Sequence, residues 1–345
     1  LTTTPWLTER HGYDPTSLLA RLGRAETALP GGCRIGARPV DWHLAALERM
    51  GARVEQAAQR LTLTAPAGLH GAEIRLPGPS VGATETVLLA GCAARGQTRL
   101  QGAAMEPEIV DLARFLNQCG GCVRGAGTAE IVIEGGRPLH GTAYDPMPDR
   151  ICASTLACAA AAARGWVTVA GCAPGLYAPV LDILEQAGCR VLRSAQSATV
   201  GCAGGLRGAG RLVTGGYPAL ATDAAPLVAA ALLTARGQTV IEDRVFEARF
   251  GCAGGFAALG AAVRTMRGGR ELWIEGAGAR PLHGAQMAAG DLRGGAALVV
   301  AALAAEGESR IAGCGYIDRG YPALEQMLAR LGARICREMP PEAPD

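Results

Sequence analysis

The stretch Leu29-Pro30-Gly31-Gly32-Cys33-Arg34-Ile35-Gly36-Ala37-Arg38-Pro39-Val40-Asp41 concentrates chemistry in a few residues. Glycines on both sides of Cys33 predict a flexible, exposed loop. Arg34 and Arg38 would favour the thiolate over the thiol, so Cys33 is expected to be a reactive nucleophile. The other cysteines are set singly in apolar stretches, as at Cys92, Cys158 and Cys172, and read as buried and inert. Cys119-Gly-Gly-Cys122 has redox or zinc spacing, but no second pair accompanies it, and it falls where a core residue is expected.

A second chemical theme is positive charge of one kind. All 33 basic side chains are Arg, and no Lys occurs. No side chain can therefore form a Schiff base or serve as a P-loop lysine, while the planar guanidinium remains well suited to carboxylates and phosphates. Polar clusters interrupt the apolar background at Ser80–Thr84, Glu106–Asp111, Asp149-Arg150, Thr222-Asp223, Glu247–Arg249, Asp291–Arg293 and Asp318–Gly320. An Asp-Arg pair is ordinarily a surface salt bridge of little worth. Five arginines in otherwise apolar surroundings (Arg38, Arg150, Arg249, Arg293 and Arg319) would instead form an anion site if they converge. The net charge of only +2 points to no nucleic acid or membrane partner.

The elements that position these residues form a repeat. A helix ending in Leu-Gly-Ala or a near copy recurs with its glycine at Gly51, Gly120, Gly188, Gly260 and Gly332, a period of roughly seventy residues. Each copy continues into a strand, a polar turn and a second strand. A Leu-X-Gly step follows at Leu69-His70-Gly71, Leu139-His140-Gly141, Leu206-Arg207-Gly208 and Leu282-His283-Gly284. The repeat accounts for His70, His140 and His283 and spreads them apart, so no metal site is expected. Ala-rich helices are expected over 153–163 and 294–305, where small side chains permit close helix packing. The fifth copy stops after one short expected strand beyond Ala333, and Met339–Asp345 reads as a disordered tail. The strand edge it leaves calls for completion by another segment, the other end of the chain being the candidate.

At 345 residues, two domains are expected, divided at 147/148, in an α/β protein with 49% hydrophobic but only 4% aromatic residues. Isolated cysteines, an opening unlike a signal peptide, and no apolar run of about 18 residues indicate the reducing cytoplasm.

Taken together, these segments resemble the UDP-N-acetylglucosamine enolpyruvyl transferases, in the superfamily of 5-enolpyruvylshikimate-3-phosphate synthase. Pro30–Asp41 is similar to that family's catalytic loop, which the shikimate enzyme lacks. Ser80–Thr84, Glu106–Asp111, Pro148–Arg150, Val245–Glu247, Asp291–Arg293 and Ile317–Tyr321 match in order. The resemblance spans about Leu18 to Arg337 and implies two inside-out α/β barrels of repeated units with the active site between them. It implies transfer of the enolpyruvyl group of phosphoenolpyruvate to the 3′-hydroxyl of UDP-N-acetylglucosamine with release of phosphate, the first committed step of peptidoglycan synthesis. A monomer without cofactor is implied.

By the same resemblance, Cys33 forms an adduct with phosphoenolpyruvate and is alkylated by fosfomycin, its loop serving as a lid over closing domains, and Asp223 is the base for the sugar hydroxyl. Arg38, Arg293 and Arg319 hold phosphoenolpyruvate. Ser80, Val81, Gly82, Glu106, Asp149, Val245 and Arg249 lie toward the UDP-sugar. The family's pattern is not followed throughout. By the repeat arithmetic the chain starts roughly eighty residues late, without the family's Lys-Asn segment, so an amino-terminal unit is expected to be missing. Arg10 stands near a family arginine. Ala224-Ala-Pro-Leu follows Asp223 where glutamines are usual, Ala248 replaces an Asn, Tyr316 a His and Cys152 an acidic residue. Two other readings therefore stand beside the enzyme: a paralogue or gene fragment that binds UDP-sugar without turnover, and a fragment that does not fold alone.

Overall fold

The computed structural model describes residues 15–28, 40–57, 60–278 and 280–338. By internal contacts the chain divides at Met147/Pro148 into two compact units. Residues 216–218 group with the first. The units have separate hydrophobic cores that share no residue.

In the first unit, helix α1 (Thr16–Leu22) leads into β1 (Arg24–Ala28), and α2 (Asp41–Arg49) into β2 (Arg53–Ala57) and β3 (Arg60–Thr64). These strands form an antiparallel sheet of order β1-β3-β2. Next come β4 (Glu73–Arg75), α3 (Val81–Ala93), β5 (Gln97–Gln101), α4 (Pro107–Gln118), β6 (Val123–Arg124) and β7 (Glu130–Glu134). They build a sheet of order β4-β5-β7-β6 in which only β4 and β5 run parallel. Parallel neighbours need a crossover, and α3 supplies it.

The second unit repeats the plan. It runs α5 (Arg150–Ala162), β8 (Trp166–Ala170), α6 (Ala178–Gln186), β9 (Arg190–Arg193), β10 (Ser197–Gly201), β11 (Gly210–Val213), α7 (Ala225–Leu232), β12 (Arg236–Glu242), α8 (Ala253–Ala258), β13 (Ala262–Met266) and β14 (Glu271–Ala277). The sheet β11-β12-β14-β13 has the same order and the same single parallel pair as its counterpart in the first unit. After it come β15 (Leu282–His283), β16 (Gln286–Ala288), α9 (Leu292–Ala302), β17 (Ala305–Glu306), β18 (Arg310–Ala312), α10 (Cys314–Ile317) and α11 (Leu324–Arg330).

Helices α5, α7 and α9 pack on one another. All eight residues of α7 are buried, as are ten of thirteen in α5, so these helices show no polar stripe and lie inside the unit. The many alanines, with Gly294 and Gly295 in α9, allow the close approach. Helix α9 starts and ends earlier than the sequence suggests, because Ala305 is drawn into pairing with Leu282.

The repeat recurs at the level of single hydrogen bonds. In all five copies the helix-terminal glycine has φ between 88° and 110°. The next amide then bonds back to the carbonyl five residues earlier, as Ala52 to Leu47, Gly121 to Leu116, Cys189 to Leu184, Ala261 to Phe256 and Ala333 to Leu328. This is the Schellman closure, and it needs a left-handed residue that glycine adopts without strain. The amides of His70, His140, Arg207 and His283 each donate to the carbonyl just before that glycine. The three histidines thus occupy one structural position in successive copies.

The strand expected after Ala333 is not formed. Residues 333–338 have no regular structure, though Ala333 and Ile335 pack against the second core. The tail 339–345 lies outside the described residues. No helix among the described residues is long and apolar enough to cross a membrane.

Candidate active site

A charged cluster in the second unit forms where the inner helices begin. A single 3-10 turn, Thr222–Ala224, runs directly into α7, and Pro226 in the first turn of that helix has no amide to leave unsatisfied. Asp223 therefore sits at a helix amino terminus, where the exposed amides favour negative charge. Its Oδ1 accepts a hydrogen bond from Arg249 Nη2 at 2.6 Å and its Oδ2 one from Arg293 Nε at 3.0 Å. Burial by itself would raise the Asp223 carboxyl. The two guanidiniums outweigh that and hold it below its usual value.

Arg249 is 1% exposed. Its Nε donates to the Thr222 carbonyl at 2.9 Å, and its guanidinium lies over the Phe246 ring at 5.6 Å. Arg293, on the first turn of α9, is carried over the Tyr321 ring at 5.1 Å. Tyr321, fully buried, hydrogen-bonds Thr155 of α5 at 2.8 Å. A Cβ on Gly320 would come within 3.0 Å of Leu292 and 3.5 Å of Arg293 Nη1, so the turn carrying Arg319 packs closely against the start of α9. Arg293 Nη1 is buried and makes no hydrogen bond.

Asp149 and Asp291 cap two of the three inner helices. Asp149 Oδ1 accepts from the amides of Ile151 and Cys152 at 2.8 and 2.9 Å, and Asp291 Oδ1 from those of Arg293 and Gly294 at 3.1 and 2.9 Å. The Cys152 thiol, near the Asp149 and Arg293 charges, is pushed up to about 11, chiefly by burial. Val245 is 48% exposed, an apolar side chain left open beside a charged cluster. Arg319 is exposed, and its neighbour Asp318 is engaged by Arg337. Arg150 begins α5.

In the first unit, Ser80 caps α3 by accepting the Ala83 amide at 3.3 Å. Val81 and Gly82 form that helix's first turn. A side chain at 82 would fall 2.9 Å from the His43 ring, which itself bonds Thr86 at 2.9 Å. Glu106 stands at the start of α4. Its Oε1 accepts the Tyr217 amide at 3.2 Å, and its Oε2 is buried without a hydrogen bond.

The structure therefore joins Asp223, Arg249 and Arg293 directly and sets Gly320, beside Arg319, against Arg293. Ser80, Val81, Gly82 and Glu106 lie in the first unit, and Asp149, Val245 and Arg249 in the second. Cys33 and Arg38 lie outside the described residues, as do Arg34 and Arg10. Burial pushes the Cys92 thiol up to about 11 and the Cys252 thiol up to about 12, away from reactivity. Cys119 and Cys122 are unpaired thiols, the first buried at the end of α4. Two residues of the cluster escaped the sequence reading. Asp243 belongs to none of the polar clusters picked out in the sequence, and Tyr321 stands in the Ile317–Tyr321 motif without a role. The acidic residue closing the apolar strand Thr239–Glu242 was the available signal for Asp243.

In this repeated α/β unit the inner helices begin in Asp and Arg side chains, a setting that can take up an anion. Residues 16–328 match the EPSP synthase (3-phosphoshikimate 1-carboxyvinyltransferase) family, and the chain belongs to it; it is an enzyme of the enolpyruvyl transferase class. Among its relatives are the UDP-N-acetylglucosamine 1-carboxyvinyltransferases of Finegoldia magna and Gluconacetobacter diazotrophicus. Both are 42% identical and cover 93% of this chain and 75% of their own length. Among solved structures, the enolpyruvyl transferase NikO from Streptomyces tendae is 28% identical with a TM-score of 0.78, covering 92% of this chain and 74% of that one. EPSP synthase from Acinetobacter baumannii, at 23% identity and TM-score 0.63, covers 91% of this chain and 76% of its own and shares the fold.

Proposed function

We infer that the protein transfers the enolpyruvyl group of phosphoenolpyruvate to the 3′-hydroxyl of UDP-N-acetylglucosamine, releasing phosphate and committing the sugar to peptidoglycan. The observation that carries this is the Arg249–Asp223–Arg293 cluster, with Arg293 Nη1 buried and unbonded. A buried charged donor without an acceptor is costly and fits a ligand that brings an anionic oxygen. Phosphoenolpyruvate, with a carboxylate and a phosphate, is such a ligand.

In the reaction the sugar oxygen adds to C2 of phosphoenolpyruvate while C3 gains a proton. The tetrahedral adduct then loses phosphate and a C3 proton to restore the double bond. Asp223 takes the hydroxyl proton. It is held low by two cations, so it becomes a better base once the incoming anion draws Arg293 away from Oδ2. Arg293 and Arg319, with Arg38, offset the negative charge of the departing phosphate. We assign the sugar nucleotide to Ser80, Val81, Gly82 and Glu106 in the first unit and to Asp149, Val245 and Arg249 in the second. Cys33 is the nucleophile that forms the phosphoenolpyruvate adduct. Both substrates are bacterial cytoplasmic metabolites, and no cofactor enters the chemistry.

The test is phosphate release from phosphoenolpyruvate with UDP-N-acetylglucosamine, beside Cys33→Ala. Release that needs both substrates and disappears in the variant is the expected result. Folded protein that releases no phosphate would overturn the reading.

A further inference from the structure

Asp243 is wholly buried at the end of β12, and both of its carboxylate oxygens are used. Oδ1 accepts the amides of Val245 at 2.9 Å and Phe246 at 2.6 Å. Oδ2 accepts the Thr222 hydroxyl at 2.6 Å. On one side it therefore grips the residue next to Asp223. On the other it fixes the turn whose Phe246 ring lies under Arg249 and whose Val245 stands open to solvent. Arg249 closes the ring, donating to the Thr222 carbonyl and to Asp223. The Asp243 backbone amide is anchored in turn on the Arg270 carbonyl at 2.7 Å.

The carboxylate presents a charged acceptor to each side. Asn with its oxygen on the two amides would turn its NH2 toward Thr222, so the hydroxyl would change from donor to acceptor and the link would lose its charge. A simple turn cap needs one such oxygen.

We propose that Asp243, acting through Thr222, is a positioning residue that sets the orientation of Asp223 and its partner Arg249 for proton transfer from the sugar hydroxyl. This rests on the reading of Asp223 as the base. It touches neither substrate and acts through the first turn of α7. The charged groups facing Asp223 are Arg249 from the 243–249 turn and Arg293 from α9. Loss of the clamp frees Arg249 to shift and moves the Asp223 titration upward.

The experiment compares Asp243→Asn, Thr222→Val, Thr222→Ser and the Asp243→Asn/Thr222→Val double variant. Steady-state kinetics are measured for both substrates, and carbon NMR titration of the Asp223 carboxyl is followed in each protein. Asp243→Asn and Thr222→Val should each lower kcat at least about tenfold, the lower end of what a misplaced base costs. KM for phosphoenolpyruvate should stay nearly constant. The double variant should be little worse than either single one, because both cut the same link. Thr222→Ser keeps the hydroxyl and should restore both kcat and the Asp223 titration. Should Asp243→Asn fail to fold, the Val and Ser substitutions at Thr222 decide alone. Wild-type kcat and an unmoved Asp223 titration in Thr222→Val would overturn the proposal. A wild-type protein that binds but does not turn over would instead strike the reading of the reaction, and the Asp223 titrations would still decide the clamp.

Discussion

Asp223 shows how one side chain can be both held and made available. Its carboxyl is pulled down by Arg249 and Arg293 against the opposite effect of burial. A native value below the unfolded one of about 3.9 means its contribution to stability is fully present above that value and disappears as pH falls through the native value. Asp223→Asn lacks this component. The stability difference between wild type and variant should therefore be largest above about pH 5 and shrink toward pH 3. Urea midpoints at pH 7, 5, 4 and 3 measure it, and a difference that does not change with pH would show that Asp223 is not held low. At this scale the sequence was informative in part. Asp223, Arg249 and Arg293 stand apart as charges in apolar stretches, and the motif resemblance gave each a role. What no spacing revealed is that Arg249 and Arg293 meet on the one carboxylate of Asp223, since that depends on how two helix starts and the 243–249 turn come together. Asp243 was missed for the same reason. Its partners are a hydroxyl and two amides, and backbone amides have no signature in the amino-acid letters.

Among the elements, glycine carries much of the repeat, and not every copy uses it in the same way. Gly71, Gly208 and Gly284 each occupy the Leu-X-Gly step and donate an amide to the carbonyl of Arg95, Arg236 or Glu306. A Cβ on Gly208 would fall 2.5 Å from the Gln238 carbonyl oxygen, and on Gly71 or Gly284 it would overlap the carbonyls of Gln97 and Glu308. At Gly141, in the second copy, such an atom would meet nothing within 4 Å. Gly208→Ala and Gly284→Ala should thus cost about 2 kcal/mol or more, because neighbouring strands must part to admit the methyl. Gly141→Ala should stay within about 0.5 kcal/mol of wild type. Thermal unfolding of the three variants tests this, and equal losses at all three would mean that position 141 is crowded as well. The sequence alone made the four steps look equivalent. Their different surroundings arise from strands far along the chain, which a local pattern does not encode. Periodicity did reveal the helix, strand, turn and strand order, because each helix end carries its own glycine. It misjudged residues 333–338, where an apolar pattern suggested a strand and the chain packs without one.

Across the whole molecule, the residues assigned to the two substrates are divided unequally between the units. Among the described residues, those assigned to phosphoenolpyruvate, Arg293 and Arg319, lie in the second unit. The described residues of the first unit that carry an assignment, Ser80, Val81, Gly82 and Glu106, are sugar-nucleotide positions. The repeated βα plan explains how both units come to present polar residues at helix starts, since Ser80, Asp149, Thr222-Asp223 and Asp291 all precede an inner helix. The sequence between those starts is apolar because the helices themselves are buried. A division of this kind predicts a division of kinetic effects. Glu106→Gln keeps the acceptor for the Tyr217 amide but removes the charge from an oxygen that is buried and unbonded. If that oxygen receives a donor from the sugar nucleotide, losing it costs about 1.5–3 kcal/mol, the worth of a hydrogen bond to a charged group. KM for UDP-N-acetylglucosamine should then rise about tenfold or more, while KM for phosphoenolpyruvate moves little. Arg293→Lys, which replaces a forked donor by a point charge, should do the reverse. Steady-state kinetics with each substrate varied in turn distinguish these outcomes. Equal effects of Glu106→Gln on both Michaelis constants would show that the first unit does not act on the sugar nucleotide alone, and the assignment of its helix starts would have to be redrawn.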